Sequence, residues 1–181
     1  MSDDPQRNIE LKARDLQPKH SLEICKNLKA EDMGLIQQRD TYFKVANGRL
    51  KLREEQTSKA HLIQYQRADQ KRERQSSYRI IEIAGDASVL RAALEEALGI
   101  RVTVVKTRHL WLYNEVRIHL DTVKELGSFI EFEAVAVADS DLSREYQAVG
   151  ELREAFGVKD SQLCEIGYAD LLERGLLPSG S

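Results

Sequence analysis

The sequence predicts one α+β domain with eight strands, and three observations carry that reading. Charged and apolar residues alternate along five separate stretches, the period of a strand with one polar and one apolar face. Three other stretches repeat apolar residues every three to four positions, the period of a helix. The chain has 181 residues, with no internal repeat, low-complexity linker or composition shift, which fits a single domain with its core between about residues 7 and 172.

The elements follow in order. Strand one covers about residues 7–14, where Glu10, Lys12 and Arg14 share one face and Ile9, Leu11 and Ala13 the other. Pro18 opens a helix to about Lys29, since proline is tolerated in a first turn. Strands follow near 35–45, 49–56, 61–67 and 77–83. Asn47-Gly48 signals a hairpin turn, because both residue types accept positive φ. In the next strand Arg49, Lys51, Arg53 and Glu55 alternate with Leu50 and Leu52. A second helix is capped by Asp86, carries Val89, Leu90, Ala93, Leu94, Ala97 and Leu98, and is stopped by Gly99. Strands near 101–113 and 115–122 are joined by a tight turn at Asn114. The first puts Lys106 and Arg108 opposite Val105, Thr107, His109 and Trp111; the second puts Arg117, His119 and Asp121 opposite Val116, Ile118 and Leu120. The eighth strand follows Gly127, with Glu131 and Glu133 on one face and Ile130, Phe132 and Ala134 on the other. A third helix starts near Asp141, aligns Leu142, Val149, Leu152 and Phe156, and ends at Gly157. The tail from Leu176 to Ser181 reads as frayed.

Composition narrows the function classes. Charged residues make up 31% and hydrophobic residues 41%, with few Pro and Gly, which indicates a folded globular chain rather than disorder. A net charge of −3 provides no bulk attraction to nucleic acid or to an anionic membrane. Cys25 and Cys164 form no C-x-x-C pattern, and Cys25 lies on a helical stripe with Leu22 and Leu28, so it reads as a buried free thiol. No apolar signal region opens the chain and no run approaches 18 apolar residues, so a cytoplasmic monomer or homodimer is expected.

The charged faces carry the functional signal. Two carboxylates about 7 Å apart on one strand face suit a divalent cation, and neighbouring Lys and Arg suit a phosphate-bearing ligand. Periodicity leaves two arrangements open. The charged faces could meet water outside a sheet, or turn inward in a barrel whose apolar outside is covered by helices.

Several segments, in order from Asn8 to Leu172, together resemble the CYTH family. They are Ile9-Glu10-Leu11-Lys12-Ala13-Arg14, the strand from Gly48 to Glu55, Lys106-x-Arg108, the run V-R-I-H-L-D-x-V-x-x-L-G-x-F-I-E-F-E from Val116 to Glu133, and Gly167-Tyr168-Ala169-Asp170-Leu171-Leu172. That family includes class IV adenylate cyclases and thiamine triphosphatases and belongs to the triphosphate tunnel metalloenzymes. The resemblance implies an eight-stranded antiparallel β-tunnel with a charged interior and helices packed outside.

It also implies a site. Glu10, Glu131 and Glu133 match metal-binding carboxylates for Mg²⁺ or Mn²⁺, with Asn8 and Asp121 as further positions at the metal. Lys12, Arg53, Lys106 and Arg108 match triphosphate-binding cations, with Lys51 and Arg117 as further candidates, and Lys12 and Asp121 are the expected catalytic residues. A triphosphate carries about four negative charges, more than one cation can neutralise, so several Lys and Arg beside a divalent ion make physical sense. The implied activity is cyclisation of ATP to cyclic AMP and pyrophosphate, or hydrolysis of thiamine triphosphate or tripolyphosphate. The alternative is a triphosphate- or polyphosphate-binding protein with weak or no turnover.

Two positions depart from the family pattern. Asn8 stands where the first glutamate of E-x-E-x-K is usual, and Gln66 where some members carry lysine or glutamate. Losing a ligating charge weakens metal binding. His119 shares the face of Arg117 and Asp121 and reads as a bystander, while His109 is expected to pack beside Trp111 against a helix. Tyr168 reads equally as a helix anchor or as a hydroxyl capping the tunnel.

Overall fold

The computed structural model describes residues 5–56 and 59–175, so the expected fraying of 176–181 lies outside the described residues. The strands are β1 (Gln6–Arg14), β2 (Glu31–Phe43), β3 (Arg49–Glu55), β4 (His61–Arg67), β5 (Arg74–Glu82), β6 (Ile100–Tyr113), β7 (Val116–Val123) and β8 (Gly127–Val135). They close into an antiparallel barrel in the order β1-β5-β4-β3-β2-β6-β7-β8. Four helices accompany them: α1 (Pro18–Asn27), α2 (Ala87–Leu98), α3 (Ser143–Ala155) and α4 (Tyr168–Glu173). No described helix is long and apolar enough to cross a membrane.

Closure decides the question that periodicity left open. On β1, β7 and β8 the apolar faces point outward and are covered by helices, while the charged faces point inward. Ile9, Leu11 and Ala13 of β1, Ile118 of β7 and Phe132 of β8 form one cluster with Cys25 of α1 and Val149 and Leu152 of α3. Phe132 is fully buried and its ring lies 5.1 Å from that of Phe156, so truncation to alanine would cost roughly 3–5 kcal/mol. Cys25 is a buried free thiol, and burial pushes its pKa up to about 12. The His109 ring lies 4.9 Å from that of Trp111, tilted by 44°, and its Nε2 is 2.7 Å from Asp32 Oδ1 of β2.

A second apolar cluster closes one part of the tunnel. Phe129, Val104 and Val123 of the barrel pack with Ile166, Tyr168, Ala169 and Leu171. The helix α4 was not expected, since six residues make too few turns to show a period. It is tied down by Arg101, which pairs with Asp170 and Glu173, and by Arg49, whose Nη2 lies 3.6 Å from Asp170 Oδ2.

Strand limits differ from expectation where sequence is polar. β2 begins at Glu31 rather than near 35, passing through a register shift between Asp32 and Gly34, where Gly34 adopts φ 88°. β5 begins at Arg74 rather than 77. The link from β2 to β3 spans residues 44–48, and of Asn47-Gly48 only Gly48 has positive φ. A Cβ at Gly48 would lie 2.9 Å from the carbonyl oxygen of Tyr65, so glycine is required twice over. The turn at Asn114 is as tight as expected: Asn114 and Glu115, at φ 45° and 67°, join paired Tyr113 and Val116. Asp86 caps α2 by accepting the Ser88 N–H at 2.8 Å.

Candidate functional site

The barrel encloses a cavity of about 350 Å³. All six cations singled out from sequence line it: Lys12, Lys51, Arg53, Lys106, Arg108 and Arg117. So do Glu10, Glu131, Glu133, Asn8 and His119. Sequence reasoning missed Arg67, a seventh cation in the lining, and the carboxylate Asp40, and gave no role to Glu55, which also lines it. Parity could have found them. Arg67 shares a face of β4 with Ile63 and Tyr65, and Asp40 shares one of β2 with Gln38 and Tyr42.

Three ion-paired groups organise the interior. In the first, Asp40 accepts from Lys51 Nζ at 2.8 Å and from Arg53 Nε and Nη2 at 2.8 and 2.7 Å. Burial alone would raise the Asp40 carboxyl, but Arg53 and Lys51 hold it well below the usual carboxylate range.

In the second, Asp121 accepts from four donors: Arg108 Nε and Nη2, both at 2.7 Å, Lys106 Nζ at 3.0 Å and the Tyr168 hydroxyl at 2.9 Å. Burial pushes this carboxyl up, yet Arg108 and Lys106 outweigh it and keep it ionised. Asp121 has no exposed side-chain surface and is absent from the cavity lining; it lies beneath the cations that face the cavity. Lys106 pays the electrostatic cost: burial and then Arg108 lower its pKa to about 7, against the pull of Asp121. Tyr168, the first residue of α4, anchors that helix and lines the cavity. Its ring meets Phe129 edge-on at 4.9 Å, its hydroxyl reaches Asp121, and Lys12 Nζ lies 3.7 Å from the ring centroid.

The third group brings the glutamates together across β1 and β8, where Glu10 is paired in register with Glu133 and Lys12 with Glu131. Glu131 pairs with Lys12 and lies 3.1 Å from His119 Nδ1. Burial favours its neutral form, but Lys12 and the hydrogen bond to His119 keep its pKa well below normal. Glu133 meets Asn8 Nδ2 at 2.6 Å and Arg117 Nη1 at 3.3 Å. Glu10 Oε1 accepts from Arg67 Nη1 at 2.8 Å and Arg74 Nε at 3.1 Å. Arg74 was also missed; fully buried, it holds the carbonyls of Gln70, Cys164 and Glu165. His119 is buried, and burial followed by Arg108 lowers its pKa.

Gln66 corrects one expectation. It is exposed and lies on the opposite face of β4 from Arg67, so its neutrality has no bearing on the tunnel. Asn8 lies inside, as its parity suggested: it is 3% exposed, and its Oδ1 is buried with no hydrogen-bond partner.

Among the described residues, no three or more His, Cys, Asp or Glu side chains converge closely enough to hold a metal ion. Each glutamate is drawn instead to a cation or amide. The residues nevertheless suit a hard divalent cation: two glutamates face each other across β1 and β8, and Asn8, whose buried oxygen has no partner, lines the same cavity.

Solved structures with the same architecture support this description of the fold. A protein from Pyrococcus horikoshii, PH1012, is 20% identical with a TM-score of 0.78, the match covering 91% of this chain and 98% of that one. A presumed adenylate cyclase from Vibrio parahaemolyticus is 19% identical with a TM-score of 0.76, covering 93% and 98%. The presumed adenylyl cyclase HpAC1 from Hippeastrum, described as revealing a dominant triphosphatase activity, is 13% identical with a TM-score of 0.64, covering 96% and 98%. Comparison with curated proteins returns no match. The CYTH domain model matches residues 6–160, from the first residue of β1 through α3, and so takes in every strand of the tunnel. With that match over most of its length, the chain belongs to the CYTH domain family.

Proposed function

We propose that this chain is a metal-dependent enzyme that cleaves a phosphoanhydride bond of an organic triphosphate. The charge balance of the tunnel carries the reading. Seven cations and five carboxylates line it, a surplus of two positive charges. A triphosphate of about four negative charges bound with one divalent cation has about two left, so the complex would be neutralised.

Roles follow from position. Lys51, Arg53, Lys106, Arg108 and Arg117 bind phosphate oxygens, and Lys12, held between Glu131 and the Tyr168 ring, adds charge where phosphate oxygens gain it. Asp121 is a positioning residue, because it contacts Lys106 and Arg108 rather than the cavity. Glu133 and Asn8 would hold Mg²⁺ or Mn²⁺, with Glu10 and Glu131 adding negative charge in the same cavity. Such an ion, when bound, neutralises developing charge and orients the attacking oxygen. Ile36, Ile63, Ile80 and Leu110 also line the cavity, with Ile80 half exposed, and offer an apolar wall to the organic group at the entrance. The relatives named for cyclase and triphosphatase activity support both chemistries on this scaffold. Attack by water gives hydrolysis; attack by a ribose 3′-hydroxyl on the α-phosphorus gives cyclisation with loss of pyrophosphate. The two unpaired cysteines fit a reducing compartment such as the cytoplasm.

The test is an assay of ATP, thiamine triphosphate and tripolyphosphate with Mg²⁺ and with Mn²⁺, resolving cyclic AMP, pyrophosphate and phosphate. Metal-dependent turnover, faster for an organic triphosphate than for tripolyphosphate, is expected. Saturable binding without product would favour a binding protein, the reading that the neutral Asn8 supports. Neither binding nor turnover would overturn both.

A further inference from the structure

We propose that His119 is a ligand of the metal in this tunnel, and that its nitrogen tunes the site toward a first-row transition ion such as Mn²⁺ ahead of Mg²⁺. The inference rests on the metal-dependent reading above, but that reading does not need His119.

His119 is 3% exposed and is the one of the four histidines that lines the cavity. Its imidazole lies across both carboxylates of β8. Nδ1 is 3.1 Å from Glu131 Oε1, hydrogen-bond distance, and Nε2 is 3.7 Å from Glu133 Oε2, too far for one. An imidazole that donates Nδ1–H to a carboxylate leaves the Nε2 lone pair free, the usual arrangement of a metal-bound histidine with an orienting carboxylate behind it. The 3.7 Å gap is one that two metal–ligand bonds of roughly 2.1 Å can bridge.

Asn8 supplies the independent observation. Its Nδ2 donates to Glu133 Oε1 at 2.6 Å, while its Oδ1 is buried without a partner, and Asn8 lines the same cavity. Glu133 thus has the Asn8 amide at one oxygen and, at the other, the Arg117 guanidinium at 3.3 Å and the His119 imidazole at 3.7 Å, so a cation entering between Glu133 and His119 takes the place of Arg117. A cation here would gain the Glu133 carboxylate, the Asn8 oxygen and the His119 nitrogen, with remaining positions open to water or phosphate. Glu131 would orient His119. This set carries one formal negative charge. Mg²⁺ depends on hard charged oxygens and holds weakly to such a site, whereas transition ions gain from imidazole.

The experiment is Mn²⁺ titration of the full chain, followed by loss of the free-ion paramagnetic resonance signal, then pulsed resonance of the bound ion. It is done on wild type with natural and ¹⁵N-labelled histidine, and on His119→Asn and Glu133→Gln variants whose folding is checked by circular dichroism. Bound Mn²⁺ in wild type should show a nitrogen coupling that changes with the histidine label and vanishes in His119→Asn. Mn²⁺ affinity in that variant should fall roughly tenfold or more, while Mg²⁺ affinity, read by competition, changes less than about threefold. The label keeps the test valid if His119→Asn fails to fold. Bound Mn²⁺ with no histidine coupling would overturn the role of His119 and leave the metal-dependent reading standing. No Mn²⁺ binding by wild type, with or without tripolyphosphate, would sink both.

Discussion

Replacing Asp121 by Asn tests whether buried carboxylates hold the tunnel's cations in place. In the native protein Asp121 is the shared acceptor of Arg108, Lys106 and Tyr168, and it has no exposed surface through which water could take its place. Asparagine keeps the shape but removes the charge and turns one acceptor into a donor facing other donors. Arg108 and Lys106 are then buried without their counter-ion. Removing one partner of a buried pair costs roughly 3–5 kcal/mol. For a chain of this size each kcal/mol lowers Tm by roughly 2–4 °C, so a drop of about 6–20 °C is expected. The pH dependence has a fixed sign. The folded pKa of Asp121 lies below its unfolded value, so its contribution is complete above the unfolded carboxyl pKa of about 4 and is lost as pH falls through the folded value. The part of the gap between wild type and variant that comes from the Asp121 charge should therefore narrow in acid. Tripolyphosphate supplies the missing anion and should close part of it by ordinary ligand linkage. Urea unfolding at pH 7 and pH 4, with and without tripolyphosphate, reads all three effects. A variant within 1 kcal/mol of wild type at pH 7 would refute the reasoning.

Three further outcomes follow from the same geometry. Lys106 titrates near pH 7 without ligand, and an incoming phosphate raises its pKa, so its full contribution to binding is present below pH 7 and is lost as pH rises through the bound-state value. Calorimetry at pH 8 in buffers of different ionisation enthalpy should show proton uptake on tripolyphosphate binding, absent in Lys106→Met; proton-neutral binding by wild type would contradict this. Arg53→Ala should weaken tripolyphosphate binding by about 1.5–3 kcal/mol, whereas Gln66→Lys, on the outer face, should leave the dissociation constant within about twofold; equal effects would be inconsistent with the barrel orientation. Cys25, with its pKa raised to about 12 by burial, should resist a thiol reagent at pH 8 until the protein unfolds; labelling of native protein at Cys25, located by mass spectrometry, would count against the packing of α1.

The strands were legible because alternation is local, and the inside of the barrel was not because closure is not. On β1 the faces of Ile9, Leu11, Ala13 and of Glu10, Lys12 differ only in chemistry. Which one is enclosed depends on β1 pairing with β8, more than a hundred residues away, and with β5 on its other edge. The resemblance of ordered motifs supplied that long-range fact. What escaped was either short or polar. The six residues of α4 cannot display a period, and the first turn of β5, Arg74-Gln75-Ser76, has no apolar residue to alternate with.

The site was legible for cations and less so for what holds them. A search for phosphate ligands selects Lys and Arg, but a buried cation must also have an anion. Asp40 beneath Lys51 and Arg53, and Glu10 between Arg67 and Arg74, answer that requirement from other strands of the same barrel. Gln66 and Arg67 show how much hangs on one residue of register: the neutral side chain that looked like a lost ligand points outward, and the cation next to it points in. Asn8 is the opposite case. Its departure from the family pattern does lie in the tunnel, where the amide reaches Glu133 and leaves one oxygen unsatisfied. The unmet acceptor beside Glu133 is the feature on which the metal role proposed for position 8 rests, with a dipole in place of a charge.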